Sequence, residues 1–312
     1  MSLEIVTIKD SESGSEARIA VDFGFNCFDF RAVVEDEIHQ VLWSDDDFET
    51  GQARPSGSGI PLLFPFPGRL KGTKLPWENR EFELPEGDGA GNPIHGFVMD
   101  RPWRIVEQTG SLLKGEFQAS VDDPAILNQW PADFKITATY EVVGSALLAT
   151  YVVENPDEVP LPCGLGTHPY FKLPLGGGSA DECQIVVPYT YEWVFKDKMA
   201  TGDQTPRDTD PHTPLRFADA DKDNAYGGLE FEGDHCVTTI HDPDSGRTLK
   251  QTFSKPFLDC VLYNPPHREA FCIEPYTCVP DAFQLRRMGY PGGLKVLAPG
   301  ETFEASVKIE LT

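Results

Sequence analysis

The sequence predicts an all-β fold of antiparallel sheets with few short helices. Three observations carry this: apolar residues recur mostly with period two, short strand-like runs follow one another across tight turns, and helical patterns are nearly absent. No βαβ alternation is present, which argues against a Rossmann or barrel fold.

Ala17–Asp29 alternates β-branched and aromatic residues with polar ones. Trp103–Gln108 and Leu113–Ala119 flank Thr109-Gly110-Ser111 and read as a hairpin. Phe134–Val142 and Leu147–Val153 flank Gly144-Ser145 in the same way. Cys236–His241 and Thr248–Phe253 flank Asp242-Pro243-Asp244-Ser245-Gly246, and Leu258–Tyr263 and Ala270–Ile273 flank Asn264-Pro265-Pro266-His267. The chain closes on a strand at Phe303–Leu311, after Ala298-Pro299-Gly300-Glu301. One short helix is expected from Asp123-Pro124 towards Trp130, with Asp as N-cap and Pro at the first helical position. Gly176-Gly177-Gly178-Ser179 reads as a flexible loop, and the polar residues 196–224 read as a long excursion. Nothing marks a boundary, so a single domain over residues 1–312 is expected.

Composition narrows the function. The 312 residues include 20 Phe, 9 Tyr and 5 Trp, enough for a sizeable core. The net charge of −24 argues against a nucleic-acid partner, because phosphate binding needs a basic surface. No stretch is apolar and long enough to span a bilayer, and the N-terminus lacks the basic and apolar regions of a secretion signal. A cytoplasmic location is therefore expected. The 7 Cys are an odd number without a CxxC pair, so free and mostly buried thiols are expected. Cys272 and Cys278 straddle Glu274, but no second Cys/His pair has ligand spacing, so no metal site is expected there.

Three motifs stand out: Ile94-His95-Gly96-Phe97, Thr167-His168-Pro169-Tyr170-Phe171 and Ile273-Glu274-Pro275-Tyr276. Together their two histidines and glutamate could take a proton, give one and fix a substrate. Each also has a plain structural reading. His168 could pack among aromatics against a backbone carbonyl, and His95 could be a turn histidine. Glu274, in an otherwise apolar run, is costly to bury unless paired or used. It reads either as a structural ion pair with an arginine such as Arg69 or as a general base tuned by burial. Arg69, in the stiff loop Pro65-Phe66-Pro67-Gly68-Arg69-Leu70, would suit adjacent hydroxyls as a guanidinium fork. Asp223 could accept from vicinal hydroxyls or be a solvated loop acid. Trp77, Trp103, Trp193 and Tyr263 could stack on a sugar, with core packing the default for each. No G-x-S-x-G elbow, Walker A or dinucleotide fingerprint occurs.

These motifs, in this order, resemble the aldose 1-epimerase (galactose mutarotase) family, and most nearly its shorter bacterial branch. Phe64-Pro65-Phe66-Pro67-Gly68-Arg69 is similar to that branch's Phe-Pro-x-x-Arg loop, and Glu274-Pro275-Tyr276-Thr277 to its Glu-Pro-x-Thr motif. Ile94-His95-Gly96-Phe97 and Thr167-His168-Pro169-Tyr170-Phe171 look like its two histidine motifs, and Asp223-Asn224-Ala225-Tyr226 like its sugar-binding Asp segment. Gly68 stands where many relatives have Asn, and Phe97 where the better-studied galactose enzymes have a second Gly. The resemblance implies an antiparallel β-supersandwich with an open cleft and neither metal nor cofactor. It implies interconversion of the anomers of an aldohexose, with Glu274 as general base and His168 as general acid. His95, Arg69 and Asp223 would hold hydroxyls and steady charge on the ring oxygen, and Tyr263 would line the pocket. The expected partner is a small sugar, with no nucleic acid or membrane, for a monomer or weak homodimer. Two alternatives stay open: an epimerase for hexose 6-phosphates, which needs a basic cluster at the cleft from residues such as Lys71, Lys74, Arg286 and Arg287, or a non-catalytic sugar-binding protein on the same scaffold.

Overall fold

A computed structural model describes residues 3–312. Its strand ladders are all antiparallel, in two large sheets and smaller ones, with one isolated parallel bridge between Phe64 and Gly96. A nine-stranded sheet runs in the order Leu215–Arg216, Gln184–Val186, His235–His241, Thr248–Ser254, Thr302–Leu311, Ala146–Glu154, Lys135–Val143, Leu112–Gln118 and Arg104–Gln108. Its hairpins form where the turn residues predict them, with Val143 paired to Ala146 around Gly144-Ser145. The C-terminal strand lies between Thr248–Ser254 and Ala146–Glu154, so the chain's end seals the middle of this sheet.

The second sheet carries the site. Its strands follow the order Met199–Pro206, Tyr191–Lys196, Asp223–Gly227, Asp259–Tyr263, Ala270–Tyr276, Gly166–Thr167 and Leu62–Leu63, and Tyr170–Lys172 also pairs with Ala270–Tyr276. All seven residues of Ala270–Tyr276 are buried, so both faces of this strand are covered. Phe271 and Ile273 join Leu249, Phe253, Val307 and Ile309 of the nine-stranded sheet in one core cluster. Side chains alternate along a strand, so Ala270, Cys272, Glu274 and Tyr276 turn the other way. Gln251 ties the layers by donating to the Ile273 carbonyl at 3.2 Å. Strands Ile5–Lys9, Glu16–Ala20, Asn26–Val34 and Glu37–Gln40 form a further sheet at the N-terminal end.

Three expectations need correction. Residues 196–224 are not one continuous excursion: Met199–Pro206 pairs with Tyr191–Lys196 in a hairpin, Leu215–Arg216 is a short strand followed by a 3-10 turn at Phe217–Asp219, Asp223 opens the strand Asp223–Gly227, and the rest is loop. Much of that hairpin is exposed, and its turn residues Asp197 and Lys198 adopt positive φ, so neither an apolar alternation nor a glycine announces it. The helix after Asp123 is a 3-10 turn at Pro124–Asn128, with the Asp123 carboxylate accepting from Ala125 N at 3.3 Å. The helix Ala282–Met288 was not foreseen. It ends at Gly289 in the left-handed region, but its first flanking residue, Asp281, makes no side-chain cap, so the usual start signal is missing.

All seven cysteines are free and buried, as their number suggested. No helix among the described residues is long and apolar enough to cross a membrane.

Candidate active site

The register of the second sheet assembles the site. Gly166 lies opposite Tyr276, and Tyr170 opposite Cys272. In an antiparallel pair the two residue numbers keep a constant sum, so position 168 falls straight across from Glu274. Pro169 interrupts the pairing there, separating Gly166–Thr167 from Tyr170–Lys172. On the other side of the strand Val261 pairs with Glu274 and Tyr263 with Cys272, and one strand further Asp223 pairs with Tyr263. Cross-strand partners share a face. Glu274, His168, Tyr263 and Asp223 therefore converge on the side of the sheet turned away from the core.

An open cleft of about 170 Å³ lies over this face. Six of the residues singled out in the sequence line it: His95, His168, Glu274, Arg69, Asp223 and Tyr263. The three tryptophans offered for stacking do not. Trp103 and Trp193 are buried core residues, and Trp77 packs edge-on against Phe283.

His168 Nε2 stands 3.4 Å from Glu274 Oε1. The other carboxyl oxygen, Oε2, accepts a hydrogen bond from the Tyr276 hydroxyl at 2.8 Å. Glu274 is 1% exposed and His168 6%, so neither is solvated enough to hold a charge cheaply. Burial pushes the Glu274 carboxyl well above the usual range, against the Tyr276 hydrogen bond, and the Asp223 charge adds to the rise. Burial, with a smaller push from the Arg54 charge, likewise pulls the His168 imidazole down to about 3. The neutral acid and neutral imidazole together carry one exchangeable proton, and a shift across the 3.4 Å gap converts them to carboxylate and imidazolium. The imidazole stacks on the Tyr170 ring, centroids 4.7 Å apart and planes 1° from parallel, with the Tyr263 ring edge-on at 6.0 Å.

His95 is held by a two-way contact between loops. Its backbone N donates to the Gly68 carbonyl at 2.8 Å, and Gly68 N donates to His95 Nδ1 at 3.2 Å. An accepting Nδ1 places the proton of the neutral ring on Nε2. Burial keeps the ring neutral by taking its pKa well below the usual value, helped by His168 and Arg54. The loop needs glycine at both ends. Gly68 has φ +67°, and an added Cβ would fall 2.6 Å from Pro280 Cγ. Gly96 has φ +74°, and an added Cβ would fall 2.0 Å from the Phe64 carbonyl oxygen. The sequence signal at these glycines is thus a backbone that approaches too closely for any side chain.

Arg69 does not pair with Glu274. Its Nε donates to Asp88 Oδ2 at 3.0 Å, which fixes the guanidinium plane at the cleft wall. Burial works against the Asp88 carboxylate, but hydrogen bonds from Asn92, Ala90 N and Arg69 outweigh it and hold the group at about 2. Asp223 forms an ion pair with Lys198 at the tip of the hairpin.

Four residues of this region carried no role in the sequence reading. Tyr276 was quoted in its motif, and its spacing of two from Glu274 in a strand was the signal that both share a face. Lys198 lay in the misread excursion. Arg54 lines the cleft from the loop before Pro55 and makes no ion pair among the described residues. Cys272 is fully buried on the same face of the strand, and its thiol falls with a nitrogen of His168 and an oxygen of Glu274 in a group whose atoms are all within 4.8 Å of one another. Lys71, Lys74, Arg286 and Arg287 do not line the cleft.

The sequence profile of the aldose 1-epimerase family matches residues 28–310, and the chain belongs to that family. It is 24% identical over 268 residues to the uncharacterized protein YphB of Escherichia coli K12, covering 81% of this chain and 84% of that one. It is 26% identical over 239 residues to a galactose mutarotase of Pongo abelii, covering 68% and 67% of the two chains. Among solved structures, a galactose mutarotase-like protein from Clostridium acetobutylicum superposes with a TM-score of 0.85 at 19% identity, covering 100% of this chain and 99% of that one. That likeness shows the same fold.

Proposed function

We propose that the chain is an aldose 1-epimerase that interconverts the α and β anomers of an aldohexose by opening and reclosing the ring. The observation that carries this is the facing of His168 Nε2 and Glu274 Oε1 at 3.4 Å in a cleft open to a sugar-sized ligand. Family membership and the relative named galactose mutarotase support it.

In the ring-opening direction the Glu274 carboxylate takes the proton of the C1 hydroxyl. The C1–O5 bond breaks as C1 becomes a carbonyl, and the His168 imidazolium protonates O5. The acid and base are then both neutral, which is the state burial favours. The site is therefore matched to the open-chain aldehyde and must move one proton from Glu274 to His168 before it can open a ring. After rotation about C1–C2 the neutral carboxyl protonates the carbonyl oxygen and the imidazole accepts the O5 proton, which restores the starting forms. The neutral His95 Nε2–H and the Asp88-anchored Arg69 are fixed donors for hydroxyls and for charge growing on the oxygens. Asp223 and Lys198 offer an acceptor and a donor at the rim. The free thiols of all seven cysteines support a reducing compartment, and we assign the cytoplasm.

A second reading has one observation in its favour. Arg54, Arg69 and Lys198 line the cleft, and Arg54 has no acidic partner among the described residues, so an aldose bearing a phosphate would find a free cation. Polarimetry of freshly dissolved α-D-glucose and α-D-galactose, with and without the protein, tests the main reading. Faster approach to the same final rotation supports it. Response only to hexose 6-phosphates transfers the assignment to the second reading. No response to either rejects both.

A further inference from the structure

We propose that His168, Glu274 and Cys272 form a three-donor site for a thiophilic divalent cation such as Zn²⁺. Occupancy of that site shuts down the sugar reaction assigned above. Cys272 lies two residues before Glu274 on the same strand, so both side chains leave the same face. His168 stands across from Glu274, and the three donor atoms, N, O and S, lie within 4.8 Å of one another. Zinc bonds of ~2.0–2.3 Å in a tetrahedron put neighbouring donors ~3.3–3.8 Å apart. The His168 Nε2–Glu274 Oε1 separation of 3.4 Å already spans one edge of that tetrahedron. The other two edges, at most 4.8 Å now, close to the ~3.6 Å of sulfur–nitrogen and sulfur–oxygen edges with a movement of ~1.2 Å or less.

The surroundings suit a cation. The Tyr276 hydroxyl holds Oε2 at 2.8 Å and leaves Oε1 as the donor, an outer-shell arrangement typical of bound metals. The His168 ring is buried and its Nε2 faces Glu274 Oε1, so the nitrogen that would bind the cation points at the second donor. A divalent cation displaces the thiol proton to solvent, and with thiolate and carboxylate it forms a neutral unit. Neutrality matters in a site this dry. The fourth position faces the cleft, open to water or a sugar hydroxyl. The arrangement is invisible to spacing rules, because Cys272 pairs with a histidine more than a hundred residues away rather than with Cys278.

Cobalt(II) is the probe, since it fills the same tetrahedral geometry and reports thiolate ligation by a near-ultraviolet charge-transfer band. Added to the intact protein, Co²⁺ is expected to give that band, and Zn²⁺ to abolish it. Cys272→Ser is expected to lose the band, while Cys278→Ser keeps it. In the polarimetric assay Zn²⁺ is expected to inhibit competitively with sugar and to be reversed by EDTA. Cys272→Ser is expected to need about tenfold more Zn²⁺ or higher, as for losses around metal sites generally. If the serine variant is poorly folded by circular dichroism, Cys272→Ala replaces it. No charge-transfer band in the parent, a band that survives in the Cys272 variants, or equal zinc sensitivity in parent and variant overturns the proposal. A chain that gives the band yet turns over no sugar rejects the epimerase reading and leaves the cation site standing.

Discussion

Replacing Tyr276 by Phe isolates the tuning of the acid/base pair. The hydroxyl donates to Glu274 Oε2 at 2.8 Å from within the same strand, and the ring is buried, so Phe keeps the packing and removes one hydrogen bond. That bond favours the charged carboxylate, the form that takes the C1 hydroxyl proton. A hydrogen bond to a charged group contributes about 1.5–3 kcal/mol. At about 1.4 kcal/mol per factor of ten, its loss lowers the carboxylate–imidazolium population about 10- to 100-fold. Turnover should fall by that factor and KM should change less, because the Tyr276 hydroxyl is committed to Glu274 Oε2. The sign of the pH effect follows. Without the donor the carboxyl holds its proton more tightly, so the alkaline limb of the rate profile moves to higher pH. Polarimetric progress curves across the pH range, on a variant shown to be folded, measure both. Parental turnover, or a limb that moves to lower pH, refutes the reasoning.

Glu274→Gln and His168→Ala should each lower the rate by about 10²–10⁴, the usual contribution of general acid–base catalysis. Near-parental polarimetric rates in either folded variant remove that residue from its role. Exhaustive dialysis against EDTA should leave the mutarotation rate undiminished, and a loss restored by added metal would contradict the acid/base mechanism. Asp259 tests the electrostatics away from the pair. It is buried, accepts from Trp193 Nε1 at 2.7 Å, and burial pushes its carboxyl up to about 7. Against an unfolded value of about 3.9, the folded state binds the proton more tightly, so stability falls as pH rises from about 4 to 7 and then levels. The three-unit gap sets a ceiling of about 4 kcal/mol. Asp259→Asn keeps the acceptor for the indole. Its melting temperature should match the parent near pH 4 and exceed it increasingly towards pH 7, and an advantage that shrinks with pH rejects the account.

The sequence was legible where structure is local. Gly144-Ser145 announces its hairpin because the turn chemistry sits within the turn. Ile94-His95-Gly96-Phe97 and Ile273-Glu274-Pro275-Tyr276 pointed to the cleft because a polar group in apolar surroundings has few explanations. Other features depend on distant partners. Arg69 meets Asp88 instead of Glu274, since a long side chain chooses its partner by the path of two loops. Lys198 reaches Asp223 from the tip of a hairpin whose exposed edge erased its periodicity. The constant register sum that sets His168 opposite Glu274 exists only once three strands are aligned.

That alignment also divides the protein's capacity to change. Glu274 sits on an inner strand of the sheet, paired on both sides, and His168 faces it from the break between two short strands that pair with that strand. The rim groups Arg54, Arg69 and Lys198 hang on loops and a hairpin tip outside the ladder's interior. Change at Arg54 or Lys198 would alter what the cleft holds and leave the facing of His168 and Glu274 in place. A lineage built on this scaffold can explore new ligands by editing surface segments, generation after generation, while the buried pair is inherited intact.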